Sequence, residues 1–137
     1  MRLDIHPFNN IDEARLWACT SIDASAGAAR TRYLTLAAGQ DATYQAKYAD
    51  ALAFRRAGYP PATIDQYPWI SQEAAATGAS AQATTDRILA AGAPWNVVLG
   101  PRIEALRIGG KSTIEGLTTI GEVVSHARQV QRSLSLA

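Results

Sequence analysis

The segment IDEARLWACTSIDASAGAARTRY, residues 11–33, decides the class of fold. Five of its side chains recur in steps of four and three, which places them on one face of an α-helix. They are Ala18, Ile22, Ala26, Ala29 and Tyr33. Asn10 and Glu13 have the spacing of a capping box, so the helix is predicted to begin at Ile11. Alanine is the best helix former but buries little surface, so we expect a closely packed helical protein with a modest core.

The middle of the chain continues this pattern between clear stops. A second helix is predicted from about residue 42 to 57, because Gly58 and the prolines after it cannot continue it. Residues 58–67 predict a loop, and Pro68 suits the first turn of a short third helix that Gly78 closes. Ser80 can cap a fourth helix, which Pro94 and Gly100-Pro101 then interrupt.

The last third of the chain leaves one alternative open. Gly109-Gly110 predicts a hinge or turn, and both Ser112…Glu115 and Thr119…Glu122 have capping-box spacing. The final segment carries an amphipathic stripe of about four turns. It consists of Ile120, Val123, Val124, Ala127, Val130 and Leu134. Its β-branched residues leave residues 112–124 open to a strand interpretation.

Together these patterns predict a mainly α protein, a small helical domain of about four to six helices. We divide the chain into an extended N-terminal lead-in (1–10), a helical body (11–110) and an amphipathic C-terminal segment (111–137).

Composition excludes several classes of function. The chain has 137 residues and a net charge of +1, so no strong field steers it to nucleic acid or to an anionic membrane. No stretch approaches the roughly 20 apolar residues of a spanning helix, so we expect a chain made as a soluble protein. The single cysteine, Cys19, cannot form an internal disulfide.

Catalytic and metal-binding patterns are also lacking. His6, His126 and Cys19 lie far apart without paired ligand spacing, so we expect no metal, no cofactor and no nucleophilic triad. Gly109-Gly110-Lys111-Ser112 reads like the end of a phosphate-binding loop, but the first glycine of that motif is replaced by Ala105. An exposed lysine at a hinge explains these residues better, and we predict that the protein is not an enzyme.

Two regions are candidates for protein contact. Tyr59, Tyr67 and Trp69 form an aromatic loop with the prolines between them, which either docks a partner or wraps the core. The C-terminal stripe, namely Ile120, Val123, Val124, Val130 and Leu134, is either a core helix or a docking helix. A basic patch would form if the fold gathered the chain's dispersed cations. These are Arg30, Arg32, Arg55, Arg56, Arg102, Arg107 and Lys111.

An ordered set of residues between about 18 and 115 resembles the small tail-associated proteins of tailed bacteriophages and prophages, which are often encoded beside tail-fibre genes. The set consists of Ile22-Asp23-Ala24-Ser25-Ala26-Gly27-Ala28-Ala29-Arg30, Arg32-Tyr33, Gly39-Gln40, Tyr44, Lys47, Ala51, Phe54, Tyr67-Pro68, Glu73, Thr77-Gly78, Trp95 and Ile103-Glu104.

This resemblance implies a structural or interaction protein of the virion tail, at the tail tip, the baseplate or the fibre attachment. The protein would be made in the host cytoplasm, would be oligomeric in the assembly, and would have other tail proteins or the tail fibre as partners. The resemblance brings no catalytic residues. Two alternatives remain: a tail-fibre assembly chaperone, and a small nucleic-acid-binding regulator that uses the arginines.

Overall fold

The computed structural model describes residues 7–33 and 40–137. The mainly α prediction is confirmed, with six α-helices and no strand in these ranges. The α-helices are α1 (Ile11–Thr31), α2 (Gln40–Arg56), α3 (Pro68–Thr77), α4 (Ala81–Ala93), α5 (Gly100–Gly116) and α6 (Ile120–Ser135). A 3₁₀ helix (Pro61–Gln66) precedes α3, and a π-helical segment (Pro94–Leu99) precedes α5. None of the helices within the described ranges has the length and apolar character to cross a membrane.

Side-chain caps set several helix starts as the sequence predicts. The backbone N–H of Glu13 donates to Asn10 Oδ1 (2.9 Å), and that of Ala83 donates to Ser80 Oγ (3.0 Å). Thr119 accepts in the same way from the N–H of Glu122 (3.2 Å). Gly78 ends α3 with φ +75°, a left-handed conformation that glycine adopts without strain. The predicted lead-in 1–10 lies mostly outside the described residues.

The chain divides into two compact units. Unit 1 consists of the residues up to Tyr33 together with Leu99–Ala137, and unit 2 consists of Leu34–Val98. The boundary predicted at residue 110 falls inside α5, because that helix continues to Gly116.

Unit 1 packs α1 against both α5 and α6. Four residues of the predicted α1 stripe are buried, namely Ala18, Ile22, Ala26 and Ala29, and their mostly small side chains let the neighbouring helices approach closely. The fifth, Tyr33, was predicted wrongly, because α1 ends at Thr31 and Tyr33 is 44% exposed. The fully buried residues of this core are Ala14, Ala18, Ile22, Ala26, Ala29, Ile103, Ile114, Val123, Ala127 and Leu134.

The predicted hinge at Gly109-Gly110 is wrong, because both glycines lie within α5. A Cβ atom added at Gly110 would lie 3.0 Å from both Cγ atoms of Val130 and 3.3 Å from Ile22 Cδ1. Gly110 therefore marks the close approach of three helices rather than a flexible point. Ser112 also lies within α5, so its predicted role as a helix cap is wrong.

The strand interpretation of residues 112–124 is excluded as well. Residues up to Gly116 belong to α5, Leu117 leaves the helix with extended backbone angles (φ −80°, ψ 146°), and α6 begins at Ile120.

Unit 2 packs α2, α3 and α4 around Phe54. Its buried core consists of Ala51, Phe54, Ile70, Ile88 and Leu89. The predicted loop 58–67 is only partly irregular, because Pro61–Gln66 form the 3₁₀ helix. Two bonds fix the direction of α3 beside α2: Asp50 contacts the first turn of α3, and Lys47 contacts Glu73 one turn later. The two helices are therefore antiparallel.

Candidate functional site

Two of the three predicted aromatic contact residues wrap the core of unit 2. The ring of Tyr59 meets Phe54 edge-on at 5.7 Å between centroids, and the ring of Tyr67 does so at 5.0 Å. Tyr59 also donates a hydrogen bond from its hydroxyl to Asp86 Oδ1 (2.6 Å), and this bond raises the pKa of Tyr59. Both tyrosines are therefore held by intramolecular contacts.

Trp69 is the member of this set that remains open to solvent, with 42% of its surface exposed. It lies in the first turn of α3, directly after Pro68. The backbone N–H groups of Trp69 and Ile70 donate to Asp50 Oδ2 at 2.9 and 3.2 Å. Because Tyr67 supplies no side-chain cap, the carboxylate of Asp50 on α2 fills that role and fixes the first turn of α3.

A groove of about 700 Å³ runs beside Trp69 between α2 and α3. Its walls consist of Thr43 and Lys47 from α2, and of Pro68, Trp69, Gln72, Glu73 and Ala76 from α3. From Trp69 to Ala76 the groove follows about two helical turns, or roughly 10 Å. We call these seven residues the Trp69 groove.

Glu73 connects three helices at this groove. One carboxylate oxygen, Oε1, pairs with Lys47 of α2, and the other, Oε2, accepts from Arg87 Nη2 of α4 at 3.3 Å. The hydrogen bond from Lys47, together with that from Arg87, holds the pKa of Glu73 below its ordinary value. Glu73 is thus an anion that two cations hold in place.

The predicted contact residues of α6 lie in unit 1 and are mostly covered by the chain itself. Val123 and Leu134 are fully buried, Val124 and Val130 are nearly so, and Ile120 is half-buried. Their apolar side chains form the core against α1 and α5. The two groups of predicted contact residues therefore belong to different units, the aromatic group to unit 2 and the α6 group to unit 1.

Three of the predicted patch cations are bonded to carboxylates within unit 1. Arg107 donates to both oxygens of Glu104 (Nε···Oε2 3.0 Å, Nη2···Oε1 2.8 Å) and to Asp23 Oδ1 (2.9 Å). Arg30 adds a 2.6 Å bond to Glu104, and Lys111 lies 3.1 Å from Asp23 Oδ2. The hydrogen bonds from Arg107 lower the pKa of Asp23 and of Glu104. This network joins α1 to α5.

His126 and Cys19 occupy separate places in unit 1. His126 borders a shallow groove of about 330 Å³ between α5 and α6, and its buried Nε2 has no hydrogen-bond partner among the described residues. Partial burial raises the pKa of the Cys19 thiol on α1. No group of three or more potential metal-binding side chains occurs among residues 7–33 and 40–137, and His6 lies outside these ranges.

Sequence reasoning missed Asp50 and the groove beside it, although one signal was available. Pro68 predicts a helix start, yet the residue before it, Tyr67, cannot act as a cap with its side chain. A helix start without a local cap leaves its first N–H groups to water or to a side chain from another helix.

No protein-family profile, curated protein or solved structure matches this chain.

Proposed function

We propose that this chain is a non-enzymatic structural or interaction protein of a bacteriophage tail, at the tail tip, the baseplate or the fibre attachment. Its partners are other tail proteins or the tail fibre, and its place is the virion tail after synthesis in the host cytoplasm. The resemblance across residues 18–115 supports the tail assignment. The exposed Trp69 at a groove supports action through protein contacts.

The main support for a role in protein contacts is the indole of Trp69, which is partly exposed and lies in the first turn of α3, where Asp50 holds the backbone. Tryptophan is enriched at the residues that dominate binding energy, because a rigid ring offers a large contact area at low entropic cost. Asp50 holds the backbone of Trp69, and Glu73 joins the two groove walls through Lys47 and ties α3 to α4 through Arg87. The groove therefore presents a preformed surface to a partner.

The first experiment determines where the protein resides. Purified particles are analysed by quantitative mass spectrometry, and we expect a fixed integral copy number of this chain per tail. If the chain is absent from mature particles but raises the solubility of a co-expressed tail fibre, the assembly-chaperone alternative replaces this proposal.

The second experiment tests the groove. Trp69→Ala should lower incorporation of the chain into particles, because it removes the exposed ring while leaving the buried core of unit 2 in place. Leu16→Ala is the matched control, since Leu16 is an exposed apolar residue (72%) that belongs to unit 1. Circular dichroism verifies that both variants fold. Equal incorporation of the two variants would show that the groove is not the contact surface.

A further inference from the structure

At the Trp69 groove the carboxylate acceptors are already bonded within the chain, whereas the cationic donors are only partly used. Both carboxylate oxygens of Glu73 already have a cation, Lys47 on one and Arg87 on the other. Asp50, at the first turn of α3, already accepts from two backbone N–H groups through Oδ2. The two carboxylates of this region are therefore engaged by the chain itself.

Within the part of the chain that the structure describes, the cations of this region retain unused donors. An ammonium group has three N–H donors and a guanidinium group has five, whereas Lys47 and Arg87 each make one bond to Glu73. Arg87 belongs to α4 and is not one of the seven groove residues, but it adjoins the groove through its bond to Glu73 and is the most exposed of the three ionic side chains, at 55%. The indole of Trp69 can donate but cannot accept. What the groove still offers a partner is thus donors next to an apolar ring.

We infer that the Trp69 groove binds a segment of a partner protein that carries a carboxylate close to a large apolar side chain. The apolar side chain covers the indole, and the carboxylate accepts from Lys47 and Arg87. Trp69 and Glu73, which holds the two cations, are four residues or about one helical turn apart on α3, so an amphipathic partner helix with the two groups three or four residues apart matches their spacing. This inference rests on the proposed function, because it names the partner chemistry of the same surface.

The test uses the full chain labelled with ¹⁵N and two synthetic alanine-based helical peptides. Both peptides carry one phenylalanine, and four residues later one carries glutamate and the other carries glutamine. We expect the glutamate peptide to shift the indole N–H signal of Trp69, assigned with Trp69→Phe, and to bind about tenfold more tightly than the glutamine peptide.

One variant tests whether Arg87 donates to the carboxylate of the peptide, and a second variant serves as its control. Arg87→Gln should reduce the preference for the glutamate peptide several-fold. Arg56→Gln should leave the preference unchanged, because Arg56 lies two and a half turns from Lys47 and thus on the opposite side of α2. Equal affinity for the two peptides would overturn the inference. So would an unchanged preference in Arg87→Gln, or the absence of a shift at Trp69.

The result separates this inference from the proposed function. If incorporation into particles depends on Trp69 but neither peptide shifts its indole signal, the carboxylate inference fails while the tail proposal stands. If the glutamate peptide binds selectively but particles lack the chain, the tail proposal fails while the chemistry of the groove stands.

Discussion

Gly109 and Gly110 are neighbours in α5, and the structure predicts opposite effects when each is replaced by alanine. Alanine in a helix interior is favoured over glycine by about 1 kcal/mol, and both variants gain this amount. A Cβ atom at Gly109 meets nothing within 4 Å, so Gly109→Ala should stabilise unit 1 by about 0.5–1 kcal/mol. At Gly110 the same atom would be forced against Val130 at 3.0 Å.

The overpacking at Gly110 sets the size of the difference. Adding a methyl group to a well-packed core costs about 1–3 kcal/mol, so the two variants should differ in free energy of unfolding by about that amount. For a unit of this size the difference corresponds to roughly 5–20 °C in Tm.

The assay is thermal and urea unfolding monitored by tryptophan fluorescence. In a background in which Trp69 and Trp95 are replaced by phenylalanine, Trp17 reports on unit 1. Val130→Ala provides a second arm: it should destabilise the Gly110→Ala variant less than the parent, because it removes the atoms that the new methyl group would touch. If Gly110→Ala proves as stable as Gly109→Ala, the close approach of α5 and α6 described above is incorrect.

Three further outcomes are expected. Asp50→Ala should destabilise unit 2 by about 1 kcal/mol in urea unfolding, because the first turn of α3 loses its cap. Asp65→Ala, at an exposed position, is the control and should have little effect. Equal losses of stability in the two variants would show that Asp50 does not stabilise α3 as a cap. Because the pKa of Glu73 is lowered in the folded chain, its contribution to stability is complete above its ordinary pKa and is lost as the pH falls through its folded value. Glu73→Gln should therefore flatten the acid limb of a plot of stability against pH, and an unchanged limb would argue against the two ion pairs. Cys19 should react with iodoacetamide more slowly at pH 8 than a free cysteine does, because its raised pKa leaves less thiolate; a rate equal to that of free cysteine would contradict its partial burial.

The local parts of the fold could be predicted from the sequence because they depend on neighbouring residues. The periodicity of α1 identified its buried face, and the spacing of Asn10 with Glu13 and of Thr119 with Glu122 identified two helix starts. Pro68 and Gly78 marked both ends of α3.

The parts that failed depend on residues distant in the chain. Glycine pairs favour turns when considered alone, and only the positions of Val130 and Ile22 show why Gly110 lies inside a helix. For the same reason no local pattern identifies Asp50 as the cap of α3, because it lies nineteen and twenty residues before Trp69 and Ile70. The lack of a capping side chain at Tyr67 is a signal that a cap is missing, but it does not name the residue that supplies one.

The candidate site was predicted in part. The sequence identifies the aromatic residues around Pro68 as a group but does not show which of them are exposed. Tyr59 and Tyr67 pack against Phe54 in the core, while Trp69 faces solvent. The exposed face of a short helix such as α3 can be assigned only when the helices that pack against it are known.

The bond from Asp50 to the first turn of α3 also bears on how fast a partner can dock. A tryptophan on a loose segment would have to be ordered at each encounter, and that ordering would slow association and weaken the complex. Here the indole is carried by backbone that Asp50 holds in place, so most correctly oriented collisions with the proposed partner would proceed to a bound state. Loosening this anchor would therefore reduce the association rate constant even if every residue that touches the partner were retained.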